Sequence, residues 1–123
     1  MDDERIWGSE DGLWTGDAEN YRATIDEECL MVLPEPPFVM SGGQAADAVA
    51  STPRWSKVAL TERRVSRPQE GLIVIAYKAR AEREGMTPYE AHCTTTYRRL
   101  SHEVWRVIQH QQTPPLMSHM SSE

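Results

Sequence analysis

The sequence predicts a small α+β protein in which a strongly bent antiparallel sheet wraps around N-terminal helices. Two observations predict this class. The second half of the chain contains four long segments rich in β-branched residues, at 55–66, 72–83, 89–100 and 104–113. The first half contains helical patterns and a compact apolar segment. Because the turns between the long segments are short, neighbouring strands should pair antiparallel and form a meander.

The chain begins with a pattern typical of a helical arm. In the segment 4–14, Ile6 and Leu13 are seven residues apart, as are Trp7 and Trp14, so each pair lies on one side of a helix. Further along, Asp17 is a suitable N-cap for a second short helix. We expect these two helices to cover one face of the sheet.

Between the helical arm and the long strands, the sequence predicts a short hairpin and a third helix. An apolar strand at 28–33 ends at Pro34, and a second strand at 38–40 follows a proline-rich turn. The alanine-rich segment 44–50 then favours a short helix. The predicted domain spans 1–113, and the segment 114–123, which has no pattern, is predicted to be a flexible tail.

Composition excludes several classes of function. The chain has 123 residues, and its net charge of -6 disfavours binding to a phosphate backbone, so no nucleic-acid partner is expected. No apolar run approaches the length of a membrane helix, and the N-terminus has no secretory pattern, which predicts a cytoplasmic protein without a membrane partner. Cys29 and Cys93 have no metal-binding spacing and are predicted to be buried. We therefore expect no metal and no cofactor.

The amino-acid sequence of the last two predicted strands resembles that of a known superfamily. Residues 89–97 read YEAHCTTTY, and after a turn residues 105–111 read WRVIQHQ. Near the start, Trp14 is followed by Gly16, Asp17 and Tyr21. This order of elements and these motifs are similar to those of the nuclear transport factor 2-like superfamily, in particular its SnoaL-like and kinase-association-domain-like members. The resemblance covers roughly residues 4–113.

The resemblance implies a cone-shaped fold with an apolar cavity at its open end, and a homodimer that forms through the outside of the sheet. It leaves the reaction open, since the superfamily includes steroid isomerases, epoxide hydrolases, dehydratases, polyketide cyclases, transport adaptors and oligomerisation domains. No Gly-rich phosphate loop, HExxH or GxSxG motif is present. Any site must therefore be assembled from scattered inward positions of the cone.

Candidate site residues follow from this architecture. The catalytic candidates are His110, Tyr77 and Asp26, which supply a base or a hydroxyl donor. The expected pocket residues are Trp7, Trp14, Tyr21, Trp55, Tyr77, His92, Tyr97 and His110. Strand alternation separates His92, Thr94, Thr96 and Arg98 from Ala91, Cys93, Thr95 and Tyr97, but it does not identify the set that faces the cavity.

Three functions remain open at this level. The first, which we favour, is binding of a small apolar or amphipathic ligand inside the cone. The second is an isomerase-, hydrolase- or cyclase-type enzyme that uses a histidine or carboxylate base in the pocket. The third is a dimerisation or assembly module. We favour binding because spacing alone locates no acid-base pair.

Overall fold

The computed structural model describes residues 1–116 and contains three helices and six strands in this part of the chain. The helices are α1 (Asp3–Thr15), α2 (Ala18–Thr24) and α3 (Gly42–Ala50). The strands are β1 (Ile25–Val32), β2 (Val39–Ser41), β3 (Lys57–Gln69), β4 (Leu72–Glu82), β5 (Tyr89–Ser101) and β6 (Val104–Thr113). These elements confirm the predicted α+β cone with N-terminal helices.

The six strands form one mixed sheet in the order β2-β1-β6-β5-β4-β3. The meander from β3 to β6 and the hairpin of β1 and β2 are antiparallel, as predicted. The contact between β1 and β6 is parallel, with Met31 opposite His110. This seam joins the two halves of the chain and makes the sheet mixed.

Polar side chains cap all three helices at the expected ends. The carboxylate of Asp2 accepts from the backbone N–H of Arg5, and Asp17 does the same for Asn20. Ser41 and Gln44 form a reciprocal capping box at α3. The first strand departs from prediction. It begins at Ile25 rather than at residue 28, because α2 ends at Thr24 and the next residue already has an extended backbone.

The inner face of the sheet carries the core, and strand alternation is regular on β4 and β5. Ala91, Cys93, Thr95 and Tyr97 are buried, which answers the question that the sequence left open. The outer face of β5 carries His92, Thr94, Thr96 and Arg98. On α1, Ile6, Trp7, Leu13 and Trp14 are buried in the same core.

Both cysteines are buried, as predicted, and burial raises the pKa of each thiol to about 12. None of the helices within residues 1–116 combines the length and apolar character that a membrane crossing requires. The last strand ends at Thr113, where the predicted tail 114–123 starts. Most of that predicted tail, from residue 117 onward, lies outside the described residues.

Candidate functional site

A cavity of about 540 Å³ occupies the open end of the cone. Its walls come from β1, the loop after β1, α3, and the turn between β4 and β5. Most of the lining is apolar: Met31, Leu33, Pro34, Pro36, Met40, Ala45, Ala48, Val49, Pro53, Met86 and Pro88. This volume and lining are typical of a site for a small organic molecule.

An aromatic surface forms one wall of this cavity. The rings of Trp55 and Tyr89 stack with centroids 5.9 Å apart and planes 14° apart, and Trp14 packs behind Tyr89 at 6.1 Å. The guanidinium of Arg83 lies over Trp55, with its carbon 4.8 Å from the ring centroid. Flat rings fixed in this way offer a rigid contact for a flat apolar ligand.

Two arginines and one glutamate bring charge to the cavity lining. Arg54 donates to the backbone carbonyls of Gly16 at 2.7 Å and Leu13 at 2.5 Å. Arg83 donates to the carbonyl of Pro53 at 2.6 Å. Both guanidinium groups are therefore tethered to backbone carbonyls around the cavity.

His110 lies in the cavity lining near the end of β6, and its side chain is only 4% exposed. Its Nδ1 is 2.8 Å from Thr95 Oγ1, and its Nε2 is 3.1 Å from the side-chain nitrogen of Gln112. The ring also meets Trp14 edge-on at 6.3 Å. Every polar atom of this imidazole is therefore engaged.

Behind His110 lies a fully buried carboxylate, that of Glu10 on α1. One of its oxygens accepts from Tyr77 Oη at 2.6 Å and from Thr95 Oγ1 at 2.5 Å. The other oxygen accepts from Tyr97 Oη at 2.7 Å. We call Glu10, Tyr77, Thr95, Tyr97 and His110 the inner cluster.

The position of Glu10 follows from helical geometry. It is four positions along the helix from both Ile6 and Trp14, so all three share the buried face of α1. Trp14 joins the network by donating its indole N–H to Tyr77 Oη at 3.0 Å. The helix that covers the sheet thus also inserts an acid into the core.

Burial governs the protonation of the groups around Glu10. It lowers the pKa of His110, although the negative charge of Glu10 and a backbone contact at Thr94 act in the opposite direction. Burial also raises the pKa of Tyr77 and Tyr97, and the neighbouring Glu10 charge adds to this effect. The cluster therefore contains a neutral imidazole and neutral phenols near neutral pH.

The structure divides the predicted pocket residues into two groups. Tyr21, Trp55 and His110 line the cavity. The others are core residues outside the cavity wall: Trp7 and Trp14 on the buried face of α1, and Tyr77 and Tyr97 on the strands that α1 covers. Trp7 packs edge-on against Tyr77 at 5.7 Å, and Tyr77 and Tyr97 bind Glu10.

Two predicted residues lie away from the cavity. His92 is on the outer face of β5, where its side chain is 62% exposed and 3.7 Å from Glu62, so its expected place in the pocket is corrected. The catalytic candidate Asp26 is buried beneath Arg98, which donates to it at 2.9 Å. Burial raises the pKa of Asp26, but the N–H of Glu28 and Arg98 outweigh it and hold that pKa below its usual value.

Sequence reasoning missed Glu10, Tyr89 and Gln112. Glu10 stands on a helix that also contains Gly8 and Gly12, where an acid normally faces water. The available signal was its spacing of four from Ile6 and from Trp14. Gln112 and Tyr89 gave no comparable signal, because their contact at 3.1 Å depends on the register of β5 and β6.

Within residues 1–116, no group of three or more His, Cys, Asp or Glu side chains is arranged to hold a metal ion. The polar groups in the cavity lining are instead the imidazole of His110, the amide of Gln112, the phenols of Tyr21 and Tyr89, the hydroxyls of Thr52 and Thr87, the carboxylate of Glu35 and the two tethered guanidinium groups. Chemically, this arrangement can bind and orient an organic molecule, and His110 can exchange a proton with it.

Comparison with known proteins finds no matching family model and no matching curated protein. Solved structures do match. A ketosteroid-isomerase-like protein from Parabacteroides distasonis is 16% identical with a TM-score of 0.75, over 89% of this chain and 85% of that one. A nuclear transport factor 2-like protein from Cytophaga hutchinsonii is 14% identical with a TM-score of 0.74, over 94% and 100%.

The association domain of the calcium/calmodulin-dependent protein kinase II of C. elegans also matches, at 14% identity and a TM-score of 0.72, over 89% of this chain and 90% of that one. Identities this low establish the fold alone. The chain has the nuclear transport factor 2-like fold, in agreement with the resemblance seen in its sequence.

Proposed function

From this cone fold, we propose that the protein binds a small apolar or amphipathic molecule in the cavity at the open end. The single observation that carries the proposal is the cavity itself, about 540 Å³ with an apolar lining and a stacked Trp55–Tyr89 wall. A few polar groups converge at one end, which is the usual arrangement in ligand sites. His110 and Gln112 are the groups that would orient the ligand.

Binding of 8-anilino-1-naphthalenesulfonate, measured by fluorescence titration, tests this function. Ala48 is half-buried on α3 and lines the cavity, so Ala48→Trp should fill it and weaken binding at least tenfold. Ala50 is exposed on the same helix and outside the lining, so Ala50→Trp should bind like the parent protein. Equal binding by both variants would contradict a cavity site.

An enzyme of the isomerase, hydrolase or cyclase type is a second candidate, and one observation favours it. His110 is neutral, contacts the cavity and is linked through Thr95 to the buried Glu10 carboxylate, which suits a general base. NMR can test this role by following the replacement of an α-proton of a bound aryl ketone by deuterium from the solvent. Exchange that persists unchanged in His110→Gln would exclude the histidine as the base.

We also propose that the chain forms a homodimer through the outer face of the sheet. Leu30, Val32 and Val39 are exposed there, beside an uncharged strip of Thr94, Thr96, Gln109 and Gln111. Exposed apolar strand surface of this kind is normally covered by a partner. The association-domain structures that share the fold also support self-assembly.

Light scattering after size-exclusion chromatography tests the dimer. Leu30→Lys introduces a charge into the outer face, where Leu30 is 58% exposed, and should yield monomers. Leu100 is similarly exposed, at 52%, but lies at the end of β5 beside the turn to β6, so Leu100→Lys should remain dimeric. A monomeric parent protein would overturn the proposal.

A further inference from the structure

The hydrogen bonds around Thr95 define which nitrogen of His110 carries the proton. The hydroxyl of Thr95 has one hydrogen, and it donates that hydrogen to Glu10 at 2.5 Å. Its 2.8 Å contact with His110 Nδ1 must therefore use a hydrogen on the imidazole. His110 Nδ1 is consequently the donor in this contact.

The same logic applies on the other side of the ring. Because burial lowers the pKa of His110, the imidazole is neutral and has one N–H, already assigned to Nδ1. Nε2 is then an acceptor, and it accepts a hydrogen bond from the amide nitrogen of Gln112 at 3.1 Å. The carbonyl oxygen of that amide accepts from Tyr89 Oη, also at 3.1 Å.

These contacts form a chain in which every hydrogen is donated toward Glu10. The chain runs from Tyr89 through Gln112, His110 and Thr95 to the carboxylate. Aligned hydrogen bonds of this kind polarise one another, which makes the atoms at the starting end better acceptors. At the cavity, the starting atom is Tyr89 Oη, whose lone pairs can accept a ligand hydrogen, while the one lone pair of His110 Nε2 accepts from Gln112.

We propose that Glu10 and Thr95 act as positioning residues that hold His110 in the Nδ1–H tautomer, so that the cavity selects ligands with a hydroxyl or amine donor at their buried end. This inference rests on the proposed binding function. A ligand hydroxyl would compete with the Gln112 amide for Nε2, while Gln112 stays attached to Tyr89. A carbonyl or ether oxygen in place of that hydroxyl has no hydrogen to donate to Nε2 and cannot replace the Gln112 contact.

Isothermal titration with two probes of nearly equal shape, 2-naphthol and 2-methoxynaphthalene, tests this preference. Sites that hydrogen-bond a hydroxyl discriminate strongly against analogues without it. We expect 2-naphthol to bind at least tenfold more tightly. Thr95→Val removes Oγ1 and retains the shape of the side chain. In this variant the ratio of the two affinities should fall to about threefold or less, because loss of one aligned hydrogen bond changes an affinity by about tenfold.

Thr94→Val is the matched control, since Thr94 is the next residue on β5 and faces outward toward Gln109. It should retain the preference of the parent protein. If the two probes bind equally, and Ala48→Trp weakens both, the donor preference is overturned and the binding function stands. If neither naphthalene probe binds and 8-anilino-1-naphthalenesulfonate does not bind either, both the binding function and the donor preference are wrong.

A second measurement tests the tautomer without any ligand. Long-range proton–nitrogen NMR spectra of the histidine rings show which nitrogen carries hydrogen, and His110→Gln assigns the His110 signal. We expect the proton on Nδ1 in the parent protein and in Thr94→Val, and a shift toward Nε2 in Thr95→Val. A proton on Nε2 in the parent protein would overturn the inference, whatever the probes do.

Discussion

Among residues 1–116, two carboxylates are withdrawn from solvent, and their surroundings differ. Asp26, toward the outer face of the sheet, is paired with the guanidinium of Arg98 at 2.9 Å and with the N–H of Glu28 at 2.8 Å. Glu10, in the core, is bound by three hydroxyl groups. A basic group, His110, is 3.6 Å from Glu10 but is neutral.

The two environments indicate that Asp26 has a structural role alone, whereas Glu10 has a further one. A guanidinium offsets the charge of Asp26, whereas hydroxyl dipoles alone stabilise Glu10 in surroundings where a buried charge is costly. The Asp26 pair can be explained as an ion pair that joins β1 to β5. The Glu10 network also orients His110, which lines the cavity, and we therefore assign a functional role to the inner cluster.

The largest effect is expected from removing the inner acid. Glu10→Leu leaves three buried hydroxyls without their acceptor, at about 1 kcal/mol or more for each, so it should lower the free energy of unfolding by about 3 kcal/mol. Urea unfolding followed by circular dichroism measures this loss. The proposed difference between the two acids is wrong if Asp26→Leu, in the same assay, lowers the free energy of unfolding by more than Glu10→Leu does.

A smaller loss is expected from removing one donor to that acid. Tyr97→Phe takes away the hydroxyl that donates to one Glu10 oxygen, and hydrogen bonds to charged groups contribute about 1.5–3 kcal/mol. Tyr89→Phe is a suitable control because its half-buried hydroxyl binds the neutral Gln112. In urea unfolding, Tyr97→Phe should be the more destabilised of the two, and the reverse order would argue against an uncompensated Glu10 charge.

The pH dependence of stability tests whether His110 is held neutral. Its pKa in the folded protein lies below the ordinary value of 6.5, so the unfolded chain takes up the proton first as the pH falls. Stability should decline below about pH 6.5, with a slope of at most about 1.4 kcal/mol per pH unit from this residue. In His110→Gln this part of the decline should disappear.

The exposed His92→Gln is the control for that measurement and should follow the parent protein. A parent protein that gained stability on acidification through this range, relative to His110→Gln, would mean that Glu10 holds the imidazole charged. That result would remove the distinction between the two acids.

The smallest effect is expected at the outer acid. Asp26→Asn weakens a pairing in which the side chain of Arg98 is still 37% exposed to water, and such pairs contribute little. The loss of stability should be smaller than in either inner-cluster variant and should shrink further in added salt. Unfolding at low and high ionic strength measures it, and an effect independent of salt would contradict the ion-pair explanation.

The fold was largely predictable because its elements carry local signals. Alternation and short turns identified the meander of β3 to β6, and Asp17 identified the start of α2. The parallel contact of β1 with β6 was not predictable, since nothing local in either strand specifies a partner about 80 residues away. The start of β1 was also missed, because Asp26, Glu27 and Glu28 read as the end of a helix.

The candidate site was predictable only in part. His110 was identified because a histidine near the end of a long strand is chemically conspicuous, and Tyr77 because the cone directs alternate residues inward. Glu10 was missed because its partners come from β4 and β5, more than 60 residues away. His92 was misassigned because alternation defines two faces without naming the inner one.

The parallel seam between β1 and β6 has a consequence for how the chain is made. During synthesis, β1 leaves the ribosome early but cannot find its neighbour until the last strand has emerged. Met31, opposite His110 in that seam, forms part of the cavity wall. We therefore expect the pocket to be among the last features to form, and ligand binding to report that the whole domain has been translated and has closed.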